Sequence, residues 1–171
     1  MRGYFGIGCE RISKAMNLGA LLRTGHAFGA SFAFTINAHH RARMIDRADT
    51  AKSDQHVPLY EWDCLDDMRL PKGCALVGVE LDETAIDLPS FRHPLNVAYI
   101  LGPEKGSLSP AATARCAHLV KIPTRFCINV SLAAALVMYD RVLTLGHYPP
   151  RPLTALGETV AVPVLDRSRL R

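Results

Sequence analysis

The sequence predicts an α/β fold, a mostly parallel sheet flanked by helices, on three observations. Short apolar runs bounded by glycine or proline alternate along the chain with stretches of helical period. The longest of those runs are near-continuously apolar, as strands covered on both faces are. Finally, three segments that join glycine or asparagine to a functional group fall where an apolar run meets a turn or a helix start, the place where α/β proteins put their chemistry.

Taken in order, Tyr4 to Gly8 is a short apolar opening strand. Asn17 to Phe28 then carries Leu18, Leu21, Leu22 and Phe28 on one side and Arg23 off that stripe, a helix with Asn17 as N-cap and Gly29 as its stop. Ser31 to Ile36 is the next strand, followed by a polar region from Asn37 to His56 whose His39, His40, Arg41, Arg43, Arg47 and Lys52 make 39–52 the most basic stretch. Leu65 to Leu70 reads as a weak helix, and Cys74 to Val79 and Leu95 to Leu101 as buried strands. Ser109 before Pro110 opens a short helix, because a serine cap followed by proline at the first helical position loses no intrahelical hydrogen bond. His118 to Ile122 is the last strand. Asn129 to Leu145 is the longest helix, with Leu132, Leu136, Tyr139 and Leu143 on one face and Gly146 ending it. Beyond His147 the composition shifts to Pro149-Pro150-Arg151-Pro152 and a tail ending in Arg167-Ser168-Arg169-Leu170-Arg171. One packed domain over 1–148 and a Pro- and Arg-containing tail over 149–171 are therefore expected.

Composition narrows the function classes. A chain of 171 residues, 49% apolar, can bury one ordinary core. Its 20 basic against 16 acidic residues give +4, a sign compatible with a phosphate-rich partner and too mild to require one. Five cysteines without a C-x-x-C pair or zinc-ligand spacing suit free thiols in a reducing compartment and predict no metal. No stretch reaches the ~18 apolar residues of a membrane span, and Met1-Arg2-Gly3-Tyr4 lacks a signal-peptide core, so a cytoplasmic protein is expected. Gly6-Ile7-Gly8 has Arg11 where a dinucleotide fingerprint needs its third glycine, and G-x-x-x-x-G-K-[ST] and G-x-S-x-G are absent.

The three segments remain. In Asn17-Leu18-Gly19-Ala20-Leu21-Leu22-Arg23, the plain reading is a cap and a surface arginine; the functional one is a fixed guanidinium that grips phosphate and stabilises charge developing on a nearby hydroxyl. In Leu101-Gly102-Pro103-Glu104-Lys105-Gly106, the glycines serve an ordinary strand-to-helix turn or a close backbone approach to a ligand. In Ile122-Pro123 running on to Cys127-Ile128-Asn129-Val130-Ser131-Leu132-Ala133, capping chemistry accounts for the asparagine but not for the whole spacing.

In this order the segments resemble the three signature motifs of the SpoU/TrmH family of the SPOUT superfamily, ribose 2′-O-methyltransferases. The resemblance covers roughly residues 4 to 146. It implies a trefoil knot formed by the C-terminal part of the domain, a homodimer with the active site completed across the interface, tRNA or rRNA as partner, and S-adenosylmethionine as cofactor. Carried over residue by residue, it makes Arg23, Asn17, Glu104 and Asn129 the catalytic set. Leu101, Gly102, Pro103, Gly106, Ile122, Pro123, Cys127, Ile128, Asn129 and Ala133 become the cofactor-binding set, and Glu104 is expected to buttress its loop or Arg23. Cys127 departs from the family's usual serine. That departure motivates an alternative, an RNA-binding protein on the same scaffold with weakened or lost catalysis; methylation of a base instead of a ribose is a third reading. The apolar faces of the first and last helices are expected either at the dimer interface or in the core of one chain.

Overall fold

The structure, a computed structural model, describes residues 3–39 and 56–146. The expected basic stretch beyond His39, the boundary at 148 and the tail lie outside them.

Among the described residues the chain runs β1 (Tyr4–Glu10), α1 (Ala15–Phe28), β2 (Phe32–Ile36), β3 (Leu59–Trp62), β4 (Ala75–Val79), β5 (Ile86–Asp87), β6 (Asn96–Leu101), α2 (Pro110–Arg115), β7 (His118–Lys121) and α3 (Val130–Leu145). The seven strands form one sheet in the order β3-β2-β1-β6-β4-β7-β5, and every pairing is parallel. Leu101 at the end of β6 is in register with Cys9 of β1 on one side and Val79 of β4 on the other, so the three central strands end together.

Alternation along those strands builds two cores. Val97, Tyr99 and Leu101 face Leu18, Leu21 and Leu22 of α1 and Val137 and Met138 of α3, while Ala98 and Ile100 face Leu108 and Ala112 on the α2 side. Gly6 and Gly8 of β1 make room for neighbouring rings: a Cβ there would stand 2.3 Å from Phe32 and 2.5 Å from Phe34.

Three expectations change. First, α1 begins two residues before Asn17, with Lys14 at the cap position and no side-chain cap of its own, so Asn17 is a buried residue of the first turn. Second, the predicted helix over Leu65 to Leu70 is a single 3-10 turn at Leu65–Asp67, since so few residues cannot offset the entropy of helix nucleation. Third, of the two places expected for the stripe of Leu132, Leu136, Tyr139 and Leu143 on α3, the core of one chain drops out: the stripe is solvent-exposed, whereas Val130, Ala133, Ala134, Val137 and Met138 on the other side enter the core. The stripe on α1 is intrachain core. Strands β3 and β5 were not expected; β3 is half-exposed at the sheet edge and β5 spans two residues, so neither gives a buried-strand signal.

At the N-terminal end of the sheet α3 is locked down by buried polar groups. Arg141, fully buried, donates from Nη1 to the Pro94 carbonyl (2.6 Å) and from Nη2 to the Leu95 carbonyl (2.7 Å). His93 lies 2.8 Å from Asp140 through Nε2 and 2.6 Å from the Tyr99 hydroxyl through Nδ1. A neutral imidazole protonated at Nε2 satisfies both, donating to Asp140 and accepting from Tyr99. Burial pushes the Tyr99 hydroxyl up to about 12. Burial also holds His93 below its ordinary value, outweighing the opposite pull of Asp140.

A depressed imidazole value means that the unfolded chain takes up the proton first. The stability contributed by neutral His93 is thus complete above the ordinary value of 6.5 and is lost as pH falls from there through the folded value. We expect the urea midpoint of the wild type to fall between about pH 6.5 and pH 5, and His93→Gln to flatten that slope. An unaltered slope in the variant would assign the effect to other groups.

Candidate active site

The three segments meet in one hydrogen-bonded chain. Asn17 Nδ2 donates to Glu104 Oε1 at 3.0 Å, and Asn129 Nδ2 donates to Asn17 Oδ1 at 3.2 Å. Each residue comes from a different segment, 87 and 112 positions apart in sequence. Asn17 reaches this place because the early start of α1 turns its side chain inward, at 5% exposure.

Glu104 does more than hold Asn17. Its carboxylate also accepts from the Ser13 and Lys14 backbone N–H groups at 3.0 and 2.9 Å and from the Ser13 hydroxyl at 2.9 Å. A negative charge is favourable at a helix N-terminus, so a residue distant in sequence performs the capping that the helix lacks locally. Partial burial pushes the Glu104 carboxyl up, but the hydrogen bonds from its own backbone N–H and from Asn17, Ser13 and Lys14 outweigh it and hold it below the usual carboxylate range. Of its two expected roles, Glu104 therefore takes the first: it fastens its loop, and its hydrogen bonds go to the start of α1 instead of to Arg23.

Beside this chain lies a cleft of about 550 Å³, counting its open mouth. Leu101, Gly102, Pro103 and Gly106 line it from the end of β6 and the loop after it, Ile122, Cys127 and Ile128 from the segment between β7 and α3, and Ala133 from the first turn of α3. Of the expected cofactor set, Pro123 and Asn129 do not line it; Asn129 caps α3 instead, its Oδ1 accepting from the Ser131 N–H at 2.9 Å and the Ser131 hydroxyl at 2.6 Å. Val79, Glu80 and Leu81 at the end of β4, together with Thr124 and Val130, line it without having been expected. Register is the signal that finds the first three: β4 and β6 end together, so the turn leaving Val79 must face the turn leaving Leu101. The walls are chiefly aliphatic with backbone polar groups at the turns, and the cleft lies outside the carboxyl ends of the strands.

Arg23 is exposed on α1 and does not line the cleft. It stands about 9 Å along the helix axis from Asn17, six residues at ~1.5 Å each. The Cys127 thiol is exposed at the cleft, and all five cysteines are unpaired. Among the described residues no group of three or more His, Cys, Asp or Glu is placed to hold a metal, and no helix is long and apolar enough to cross a membrane.

Comparison with known proteins agrees with this arrangement. The 23S rRNA (guanosine-2′-O-)-methyltransferase RlmB of Acinetobacter baylyi is 24% identical over 153 residues, 78% of this chain and 57% of that protein. The chain thus spans less than two thirds of that relative. An AdoMet-bound rRNA methyltransferase from Sinorhizobium meliloti superposes with a TM-score of 0.75 at 20% identity, covering 85% of this chain and 58% of its own. A chain solved in a study of 2-OH methylation of C/U34 on tRNA gives a TM-score of 0.73 at 20% identity, covering 84% of this chain and 97% of its own. At such identities the superpositions speak for the fold. The model of the SpoU rRNA methylase family matches residues 5–139, a span that holds all three convergent segments, and the chain belongs to that family.

Proposed function

We propose that this protein is an S-adenosylmethionine-dependent methyltransferase acting on a ribose 2′-hydroxyl of tRNA or rRNA. The observation that carries the reading is the Glu104–Asn17–Asn129 chain, which ties three distant segments around one cleft. The cleft fits the cofactor's chemistry: aliphatic walls at Leu101, Ile122 and Ile128 suit a nucleoside, and the turns at Gly102 and Gly106 expose backbone groups to its polar edges. Bound there, the cofactor supplies an electrophilic methyl group on a sulfonium. The chain's own residues hold the rest. Arg23, always protonated, is suited to grip a substrate phosphate and to stabilise alkoxide character on the attacking oxygen, not to act as a base.

The reading includes a homodimer in the cytoplasm. Arg23 lies on the solvent side of α1, and α3 exposes Leu132 (60%) and Tyr139 (45%), with Phe126 (74%) beside the cleft. Apolar groups exposed in this way are the kind that association between copies covers. A partner's Arg23 would then complete each cleft.

Methyl transfer from labelled cofactor to bulk RNA tests the activity. We expect Arg23→Ala to lose about 100-fold or more in rate, the scale seen when one charge-stabilising donor is removed, with cofactor affinity unchanged. Nuclease digestion should yield a 2′-O-methylated nucleoside; a labelled base would redirect the reading to base methylation. RNA binding without incorporation would favour the inactive binder that Cys127 suggests.

Ala133→Leu should fill the cleft and weaken AdoMet binding at least about tenfold while leaving RNA binding intact. Mixing the two impaired variants, at AdoMet concentrations too low to load the Ala133→Leu cleft, then tests the dimer. If Arg23 acts across the interface, mixed dimers keep one complete site. Random reassortment then restores about a quarter of wild-type activity. No recovery would place Arg23 and its cleft in the same chain.

A further inference from the structure

The loop that leaves β6 for α2 folds back over Gly102. A Cβ at Gly102 would stand 3.0 Å from the Leu108 nitrogen and 3.2 Å from the Ser107 carbonyl carbon, so the loop closes against bare backbone. The returning segment of this loop presents polar backbone groups at Ser107, Leu108 and Ser109; Leu108 is buried and Ser109 half-buried, where polar groups must find partners, while Ser107 is exposed. Side chains from the strand ends supply them at all three consecutive residues. Arg11 Nη2 donates to the Ser107 carbonyl at 2.6 Å. The Leu108 N–H donates to Glu80 Oε2 at 2.7 Å. The Ser109 N–H and hydroxyl donate to the Glu10 carboxylate at 2.7 and 2.6 Å.

The sheet dictates this symmetry. Because β6 lies between β1 and β4, and Leu101 is in register with Cys9 and Val79, the next residues, Glu10 and Glu80, flank Gly102 from opposite strands. Glu10 is 5% exposed, and Arg11 holds φ at +54°, backbone that few non-glycine residues adopt. Such strain persists where the surroundings over-determine it and clusters at functional sites. Glu80 also lines the cleft.

We propose that Glu10 and Glu80 are paired positioning residues that clasp the loop of residues 102–109 from both flanks, and that Glu80 thereby sets the shape of the cofactor cleft. This rests on the methyltransferase reading of that cleft. Neither residue belongs to the three segments that carry the family resemblance.

Glu80→Ala, Glu80→Asp and Glu80→Gln in the full chain separate the possibilities. Alanine and the shorter aspartate withdraw the acceptor from the Leu108 N–H; glutamine keeps an acceptor oxygen at the same reach. We expect amide hydrogen exchange at Leu108 to quicken in the first two, with β6 amides unchanged. AdoMet affinity by calorimetry should weaken about tenfold in them and stay within about threefold of wild type in Glu80→Gln. In turnover, KM for AdoMet should rise while kcat changes by less than about threefold. Should Glu80→Ala fail to fold, Glu80→Asp carries the same comparison. Wild-type affinity despite rapid Leu108 exchange overturns the proposal, as does a glutamine variant no better than alanine. A wild type that binds no AdoMet overturns the reading of the cleft itself, and this inference with it.

Discussion

The architecture of the site hangs on one amide. Asn17 must donate to a carboxylate with its nitrogen and accept from Asn129 with its oxygen, in a place where it is almost wholly buried. Few side chains meet that demand. Aspartate would set a second carboxylate 3.0 Å from Glu104, and like charges at that distance cannot both stay ionised. Alanine would take one of four hydrogen bonds from the Glu104 carboxylate and leave the Asn129 Nδ2 donor without its acceptor, at about 1–3 kcal/mol for a group left unsatisfied. Through this amide the start of α1, the loop after β6 and the cap of α3 are fixed relative to one another, so the walls of the cleft do not depend on packing alone.

The two ends of the parallel sheet divide the work. At the carboxyl ends of β1, β6 and β4 three glutamates, Glu10, Glu80 and Glu104, accept backbone N–H groups and shape loops around an open cleft. At the other end the buried charge is positive: Arg141 donates to the carbonyls before β6, and its guanidinium lies 5.4 Å from the Phe5 ring centre. Strand ends leave backbone groups unpaired, donors where one segment returns and acceptors where another enters, and side chains of the complementary sign settle there. These glutamates are a record of unfinished hydrogen bonding: they turn their oxygens to backbone N–H groups, and of the three only Glu80 also lines the otherwise chiefly aliphatic cleft.

Much of the fold was legible because its strongest signals are local. The apolar runs of β4 and β6, the Ser109-Pro110 start of α2, Asn129 as the cap of α3 and Gly29 as the stop of α1 each carry their own chemistry, and each is found where expected. Asn17 was misassigned as a cap for a physical reason: the true start of α1 is capped by Glu104, 90 residues away from Lys14, and nothing near Lys14 announces that. Glu80 and Glu10 were invisible for a related reason. Their roles come from strand register, and register is a property of pairing that a single sequence leaves open. The lining residues on the glycine loop and before α3 were legible only through their resemblance to a known pattern; Pro123 shows that a motif position need not be a wall position.

The position of Arg23 then gives the remaining constraint. A helix is stiff, and Asn17 pins its first turn to the cleft, so a residue almost two turns further on cannot swing back to the same opening without breaking that pin. The cleft of one chain therefore supplies walls and backbone donors and lacks this guanidinium, while the outer surface of α1 presents it to solvent. On the same layer of the molecule α3 turns an apolar stripe outward, and α1 and α3 pack side by side. A polyanion spanning two copies joined on that layer meets a cleft from one and a cation from the other. On the methyltransferase reading proposed for this cleft, the electrostatic half of catalysis would exist only in the assembled pair, and a lone chain would be limited to holding the cofactor.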